Sequence, residues 1–187
     1  MREGRWQETV GVGLNGKTLG VLGLGTLGSR VARFGHAFEM EVLAWSQNLT
    51  PGRAAELDAL RVDRDELLAR SDVVTIHLVL SERTRGLIGA RELALMKPTA
   101  FLVNTSRGPI VEEAALAAAL AKRTIAGAGI DVYSVEPIAP DHPLLCAPNT
   151  VLTPHLGYVT HESYRAYFGG ALEDIAAWRR GAPVRVL

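Results

Sequence analysis

The sequence has little cysteine, no excess of charge and no long apolar run. Its one cysteine, Cys146, cannot form an internal disulfide, so a reducing compartment is the default. Basic and acidic side chains number 20 each, which leaves no basic field of the kind that attracts nucleic acid. Residues 1–6 lack the apolar segment of a secretory signal, and no stretch reaches the length of a membrane span. We therefore expect a cytoplasmic protein whose partners include neither nucleic acid nor a membrane.

The histidines are scattered along the chain and do not predict a metal site. None of the five has a ligand-like spacing to another histidine or to Cys146. The five are His36, His77, His142, His155 and His161. We expect no metal cofactor.

A glycine turn lies between an apolar strand-like run and a helical segment. The turn reads Gly23-Leu24-Gly25-Thr26-Leu27-Gly28, after residues 18–22 and before residues 29–38. In a dinucleotide site the first glycine permits a tight turn, the second admits a pyrophosphate and the third allows close helix packing. The helix N-terminus then offers unpaired N–H groups to the phosphates. We therefore predict cofactor binding at Gly23, Gly25, Thr26, Leu27 and Gly28; a glycine-rich turn that binds nothing is the alternative.

Short β-rich runs alternate with helical ones along the chain. This alternation predicts an α/β fold, with a doubly wound parallel sheet of Rossmann type in a single domain. Strands are predicted at residues 18–22, 41–45, 73–78, 100–103, 125–130 and 151–153. Helices are predicted at residues 29–38, 53–60, 63–70, 90–96, 112–122 and 163–179. The irregular segment 131–149 carries four prolines, and long ordered loops of this kind tend to be functional.

Four polar residues lie just past the carboxyl ends of predicted strands: Arg107, Asp131, Glu136 and His155. A parallel sheet brings such positions to the rim that also holds the glycine turn. There a guanidinium can grip a carboxylate bidentately, an imidazole can deliver a proton, and a nearby carboxylate favours the protonated ring. Together these groups suit the reduction of a carbonyl beside a carboxylate. Taken singly, each has a plainer interpretation as a capping, solvated-loop or turn residue.

Several further segments occur in an order that makes the chain recognisable. They are Gly16-Lys17-Thr18-Leu19-Gly20, Arg70-Ser71-Asp72-Val73-Val74-Thr75-Ile76-His77, Thr84-Arg85-Gly86-Leu87-Ile88, Met96-Lys97-Pro98, Val103-Asn104-Thr105-Ser106-Arg107-Gly108, Asp131-Val132-Tyr133-Ser134-Val135-Glu136-Pro137 and Thr153-Pro154-His155-Leu156-Gly157. With the glycine turn, they resemble the cofactor-binding domain of the D-isomer-specific 2-hydroxyacid dehydrogenase family. The resemblance spans nearly the whole chain.

The resemblance implies a role for each matching residue. Arg107 would bind the carboxylate and carbonyl of the substrate, His155 would donate the proton, and Glu136 would orient and charge the ring. Hydride would pass between a nicotinamide cofactor and the C2 atom of a small 2-hydroxy or 2-oxo acid. The cofactor would be lined by residues that include Arg107 and His155 themselves, together with Ser46, His77, Thr84, Thr105, Ser106, Asp131 and Gly157.

The end of the second strand departs from the family's pattern. Members specific for NAD have an acidic residue there, which holds the adenosine ribose hydroxyls, whereas this chain has Ser46. Without a carboxylate, the 2′-phosphate of NADP is not repelled, yet no Arg or Lys follows until Arg53. We expect NAD as the cofactor, with NADP as the alternative.

The second departure from the family's pattern concerns the substrate domain. Family members build it mostly from residues before the cofactor domain, and residues 1–187 contain no match to it. We expect one dinucleotide-binding domain over residues 1–187, with a linker-helix-like lead-in at 1–15 and a tail at 181–187 that would return to the missing domain. Because substrate-domain loops close the cleft and exclude water, we expect a truncated form that binds cofactor but is inactive alone.

Two other functions stay open on the sequence. The family's fold also serves a corepressor group, so a non-catalytic NAD(H)-sensing or scaffold module is one alternative, although the intact Arg107, Glu136 and His155 argue against it. A hydride enzyme of another Rossmann family fits the ordered segments less well. Family members usually dimerise through this domain, so we expect a homodimer, with Trp6 as a candidate contact.

Overall fold

The computed structural model describes residues 2–8 and 10–186, which divide into two units. The first unit ends at Leu152 and holds the sheet, and the second begins at Thr153 and holds one long helix. Residues 2–8 and 10–15 lead into the first strand with turns and irregular backbone.

The first unit is built on seven strands that all pair in parallel. In chain order they are β1 Thr18–Leu22, β2 Glu41–Trp45, β3 Leu60–Arg61, β4 Val73–Ile76, β5 Phe101–Asn104, β6 Gly127–Ile130 and β7 Thr150–Leu152. Across the sheet the order is β3-β2-β1-β4-β5-β6-β7, so β1 pairs with both β2 and β4. The chain winds outward in both directions from β1, which confirms the predicted doubly wound parallel sheet. Ligands of such sheets bind beside the carboxyl ends of the strands at this reversal.

Helices connect the strands at nearly the predicted places. They are α1 Thr26–Ala37, α2 Pro51–Ala55, α3 Arg64–Arg70, α4 Ala90–Leu95 and α5 Glu113–Ala121, with short 3₁₀ turns at Gly108–Ile110 and Pro143–Cys146. Residue chemistry explains where α3 begins. The first turn of α3 carries Asp65 and Glu66, whose charges favour a helix N-terminus.

Both faces of the sheet are buried, as its near-continuous apolar strands require. Neighbouring residues of β2 show this directly, because Leu43 joins one core cluster while Val42 and Ala44 join the other. The larger cluster extends under α3, α4 and α5, and the smaller one lies under α1. The central strands are therefore held from both sides.

The predicted helix over residues 53–60 is wrong in its second half. Helix α2 starts earlier, where the Thr50 hydroxyl accepts a hydrogen bond from Arg53 N at 3.2 Å and proline fills the first helical position. It ends at Ala55, and Asp58 takes a left-handed φ of 52°. The chain then reverses into β3, a two-residue edge strand that is too short to show any periodicity in the sequence.

The second unit contains α6, His161–Arg179, and the tail that follows it. The Thr160 hydroxyl caps the helix by accepting from Ser163 N at 3.1 Å. Arg185 fastens the tail to the helix through ion pairs with Asp174 at 2.8 Å and Glu173 at 2.9 Å. Among the described residues, no helix is both long and apolar enough to cross a membrane.

Asp72 joins three strands at the amino edge of the sheet. Its carboxylate accepts from Thr18 N at 2.9 Å, where β1 begins, and from Lys97 Nζ at 3.0 Å. Its backbone carbonyl accepts from Phe101 N, the first residue of β5, at 3.0 Å. Burial raises the pKa of the carboxyl group, but the hydrogen bonds from Thr18 and Lys97 outweigh burial, so the pKa of Asp72 lies below its usual value.

We expect Asp72→Asn to lower the free energy of unfolding by about 1 kcal/mol at neutral pH. Both carboxylate oxygens accept hydrogen bonds, and the amide NH₂ of asparagine cannot accept from Thr18 N–H or from Lys97. A carboxyl group whose pKa is lowered by folding stabilises the protein above its unfolded pKa of about 3.9, and that contribution disappears as pH falls through the folded value. Urea unfolding at neutral and acidic pH measures the difference. Asp141→Asn, at an exposed loop carboxylate, is the control. A gap between wild type and Asp72→Asn that persists at acidic pH would contradict this role.

Candidate functional site

The turn after β1 has no room for a side chain at Gly23. Its φ of +101° is one that L side chains rarely adopt. A Cβ atom added there would lie 2.7 Å from the backbone oxygen of His77, just beyond β4. Gly23 N also donates to the backbone oxygen of Trp45, the last residue of β2, at 2.8 Å. The turn is therefore held between the carboxyl ends of β2 and β4.

The other two glycines of the turn differ sharply in the space around them. A Cβ atom on Gly28 would lie 1.9 Å from the carbonyl oxygen of Gly23, so α1 packs directly on the turn. A Cβ atom on Gly25 would meet nothing within 4 Å. Gly25 precedes the first residue of α1, where no side chain caps the helix and the first turn carries no acidic residue. Open space thus adjoins N–H groups of a helix start, an arrangement that fits a pyrophosphate.

Ser46 and His77 flank this turn on either side. Each directly follows its strand, β2 or β4, and each is half-buried. Burial lowers the pKa of His77, so its ring is neutral at neutral pH, and its Nε2 atom shares a 2.9 Å hydrogen bond with the Thr75 hydroxyl. Exposed Gln47 and Asn48 follow Ser46. The end of β2 therefore presents neutral polar groups beside the glycine turn.

Two hydroxyls predicted to line the cofactor shape the backbone of their own loops. The Thr84 hydroxyl donates to Val79 O at 2.8 Å and accepts from Ser81 N at 2.8 Å, which closes the turn beyond β4. The Ser106 hydroxyl donates to the Leu78 carbonyl oxygen and so ties the loop after β5 to the loop after β4. Thr105, between β5 and this tie, is exposed.

Arg107 and Glu136 belong to two segments that pack against each other. A Cβ atom on Gly108 would lie 2.0 Å from the carbonyl carbon of Tyr133, so these backbones are in direct contact. Tyr133 N then donates to Glu136 Oε1 at 2.8 Å. Arg107 is exposed, and its Nη1 atom donates to Ser106 O at 2.6 Å. The structure thus brings the segments of these two predicted residues together.

Asp131 is buried where β6 ends, and its backbone N donates to Asn104 O at 3.0 Å. It lies two residues from Tyr133, whose pKa is raised by burial and by the charges of Asp131, Glu136 and Glu113. The Tyr133 phenol therefore stays neutral. The carboxylates of Asp131, Glu136 and Glu113 all lie near this buried aromatic ring.

Asn104 is a site residue that sequence reasoning missed. It is buried at the end of β5, where its Nδ2 atom donates to Arg107 O at 3.0 Å and its Oδ1 atom accepts from Ser106 N at 3.1 Å. These bonds fix the loop that carries Arg107. A polar amide directly after three apolar strand residues was the available signal, because a buried amide must find hydrogen-bond partners.

His155 and Gly157 lie in the second unit, in the segment before α6. His155 takes a left-handed φ of 56°, which is uncommon for a residue with a side chain. Its half-buried ring packs edge-to-face on Tyr158, with ring centroids 5.7 Å apart. Gly157 is exposed. In the described part of the chain, no three His, Cys, Asp or Glu side chains are grouped to hold a metal ion.

Comparison with known proteins gives a family match over residues 1–157, to the family described as "D-isomer specific 2-hydroxyacid dehydrogenase, NAD binding domain". A glyoxylate reductase of Aeropyrum pernix is 45% identical over 172 residues, which are 92% of this chain and 51% of that protein. The crystal structure of a phosphoglycerate oxidoreductase from Vibrio cholerae matches with a TM-score of 0.90 and 40% identity, over 97% of this chain and 59% of that one.

A D-lactate dehydrogenase from Aquifex aeolicus, crystallised with NAD and lactic acid, matches with a TM-score of 0.83 and 32% identity. The match covers 95% of this chain and 58% of that one. The chain therefore spans between half and three fifths of the length of these three proteins.

The contrast between Gly25 and Gly28 gives a direct test of the turn. We expect Gly25→Ala to fold normally but to weaken NADH binding about tenfold or more, because its methyl group would occupy the space beside the helix start. Gly28→Ala should instead destabilise the fold by about 1–3 kcal/mol through overpacking against Gly23. Fluorescence titration with NADH and thermal unfolding measure the two effects.

Gly52→Ala is the matched control, because a Cβ atom there also meets nothing within 4 Å. It should change neither the NADH affinity nor the unfolding temperature. Equal NADH affinity in wild type and Gly25→Ala would show that the open space is not a phosphate site.

Proposed function

The chain belongs to the D-isomer-specific 2-hydroxyacid dehydrogenase family, and we propose that it is the cofactor-binding part of an oxidoreductase. The reaction is a hydride transfer between a nicotinamide cofactor and a small 2-hydroxy or 2-oxo acid. The observation that carries this proposal is the open space at Gly25, beside the uncapped start of α1 and between the ends of β2 and β4. The nicotinamide supplies or accepts the hydride, and the chain's own residues bind, orient and protonate.

Arg107 is the group that grips the substrate in this proposal. Its exposed guanidinium can bind a carboxylate in a bidentate manner and polarise the neighbouring carbonyl. Asn104 supports Arg107, because its side-chain amide donates a hydrogen bond to the Arg107 carbonyl oxygen. His155 is assigned as the proton donor to the carbonyl oxygen, and Glu136 as the carboxylate that favours the charged ring. This pairing follows from the family resemblance.

The remaining predicted residues are proposed to line the cofactor. Ser46 would face the adenosine ribose, and His77, Thr84, Thr105 and Ser106 would border the nicotinamide half. Asp131 and Gly157 complete this set. For Thr84 and Ser106 the role is to shape loops, since their hydroxyls are bonded to backbone groups.

The neutral end of β2 sets the expected cofactor preference. We expect NADH to bind more tightly than NADPH, because no lysine or arginine lies between Ser46 and Arg53 to attract the 2′-phosphate, and Arg53 is paired with Glu56. Dissociation constants for the two cofactors, measured on the same preparation, test this. Ser46→Asp should widen the preference for NADH, because a carboxylate binds the ribose hydroxyls and repels the phosphate. Tighter binding of NADPH by the wild type would reverse the assignment.

Turnover by these 187 residues is expected to be low, because the relatives are longer and loops from the rest of such proteins exclude water from the cleft. NADH oxidation with glyoxylate or hydroxypyruvate measures it, and the full-length Aeropyrum pernix relative serves as the positive control. Robust reduction by the chain alone would refute this expectation. In that case His155→Gln should abolish the rate while NADH still binds, whereas a sensing module would keep its function.

We also propose that the chain forms a homodimer. The lead-in exposes Trp6, Val10 and Val12. Phe34 in α1 and Phe38 just after it are exposed as well, and apolar groups of this kind favour a protein partner. Sedimentation at micromolar concentration should give about twice the 20.1 kDa chain mass. Trp6→Ala should weaken the association, and Trp178→Ala, an equally exposed tryptophan in the second unit, should not. A monomer at all concentrations would exclude the dimer.

A further inference from the structure

A mostly buried hydrogen-bonded pair of side chains lies beneath the loop that carries Glu136. Glu113, in the first turn of α5, and His142 approach within 3.2 Å, between Glu113 Oε2 and His142 Nε2. Both side chains are mostly buried, with 17% and 16% of their surfaces exposed. Neither residue was predicted to take part in the site, and neither is among the groups proposed to touch substrate or cofactor.

The second oxygen of Glu113 holds the backbone of that loop. Glu113 Oε1 accepts from Ser134 N at 2.7 Å. The preceding amide, Tyr133 N, donates to Glu136 Oε1 at 2.8 Å. Two carboxylates thus hold adjacent amides of one short segment, and the Tyr133–Ser134 peptide between them presses on Gly108, the neighbour of Arg107.

His142 orients Glu113 and joins the loop to the core. Its Nδ1 atom accepts from Leu144 N at 3.3 Å, so the proton of the neutral ring must sit on Nε2, which donates to Glu113. Leu144 is fully buried in the main core cluster. The ring of His142 also packs edge-to-face on Tyr133, with centroids 6.0 Å apart. Through Leu144 the His142 ring is therefore attached to the core. On its other side it contacts the Tyr133 ring directly and Ser134 N by way of Glu113.

We propose that Glu113 and His142 are positioning residues for the reaction. They fix the Tyr133–Ser134 peptide. That peptide positions the Glu136 carboxylate on one side and the loop that carries Arg107 on the other. The proposal deepens the proposed function and rests on it, because it assigns an outer pair to the same site. The pair acts through backbone amides, in the way that supporting hydrogen bonds hold a catalytic group.

Amide hydrogen exchange at Tyr133 and Ser134 tests the proposal. Glu113→Ala removes the acceptor of the Ser134 amide, so faster exchange of that amide is expected in any case and does not test the proposal. The informative amide is Tyr133, whose acceptor, Glu136, is unchanged. We expect its exchange to quicken about tenfold. His142→Ala removes neither acceptor and should quicken both amides, and the double variant should match Glu113→Ala because the two residues act as one unit.

Glu112→Ala is the matched control, since Glu112 is the exposed neighbour of Glu113 at the start of the same helix. It should leave both amides as they are in the wild type. If Glu113→Ala unfolds the chain, Glu113→Gln replaces it. The glutamine oxygen still accepts from Ser134, but its amide opposes the Nε2–H group of His142 and should reproduce the His142→Ala rates.

The ¹⁵N spectrum of the His142 ring gives a second readout, with Nε2 protonated and Nδ1 bare in the wild type. An Nδ1-protonated ring would overturn the proposal. So would an unchanged Tyr133 amide in Glu113→Ala, or equal acceleration throughout β1 and β4, which would mark a purely global effect. All of these measurements are made without cofactor. Failure of the wild type to bind NADH would therefore refute the proposed function and leave the exchange result to be judged separately.

Discussion

Direct backbone contact at the end of β1 is the constraint on which the first unit depends. Gly23 has backbone from β4 on one side, a hydrogen bond to β2 on the other, and the start of α1 above it. A side chain at Gly23 or Gly28 would push these elements apart. Because they cannot separate, the start of α1, the end of β2 and the end of β4 all lie beside the same turn. The open side of Gly25 is a consequence of this packing.

A second contact between backbones organises the other end of the same rim. Gly108 touches the Tyr133–Ser134 peptide. Asn104 donates to Arg107 O, and the carboxylates of Glu113 and Glu136 accept from the amides of Ser134 and Tyr133, so the chain is held on both sides of that contact. Asn104 is buried and Glu113 is half-buried, and an unmet hydrogen bond is costly in such surroundings. The long irregular loop is therefore ordered by side-chain hydrogen bonds to backbone amides, in place of regular secondary structure.

Much of the fold follows from local patterns, and the exceptions have physical causes. Strands β1 and β2 lie where their apolar runs predict them, because a strand buried on both faces leaves a continuous signal. The second half of the helix predicted over residues 53–60 is wrong, because α2 ends at Ala55 and the edge strand β3 begins at Leu60 and pairs over only two residues. Arg107 and Glu136 were predicted as neighbours from their place after strands. Asn104 and Glu113 were not, since their partners are amides distant in the chain.

The sequence by itself determined the family, the parallel sheet and the rim on which polar groups collect, because strand alternation and the glycine turn are properties of neighbouring residues. Only the tertiary structure decided which glycine leaves space for a ligand, since Gly25 and Gly28 differ in what surrounds them and not in type. It also decided that Glu113 and His142 support Glu136. That support depends on contacts between α5 and a loop that lies 21 to 29 residues further along the chain, which no local pattern in the sequence reveals.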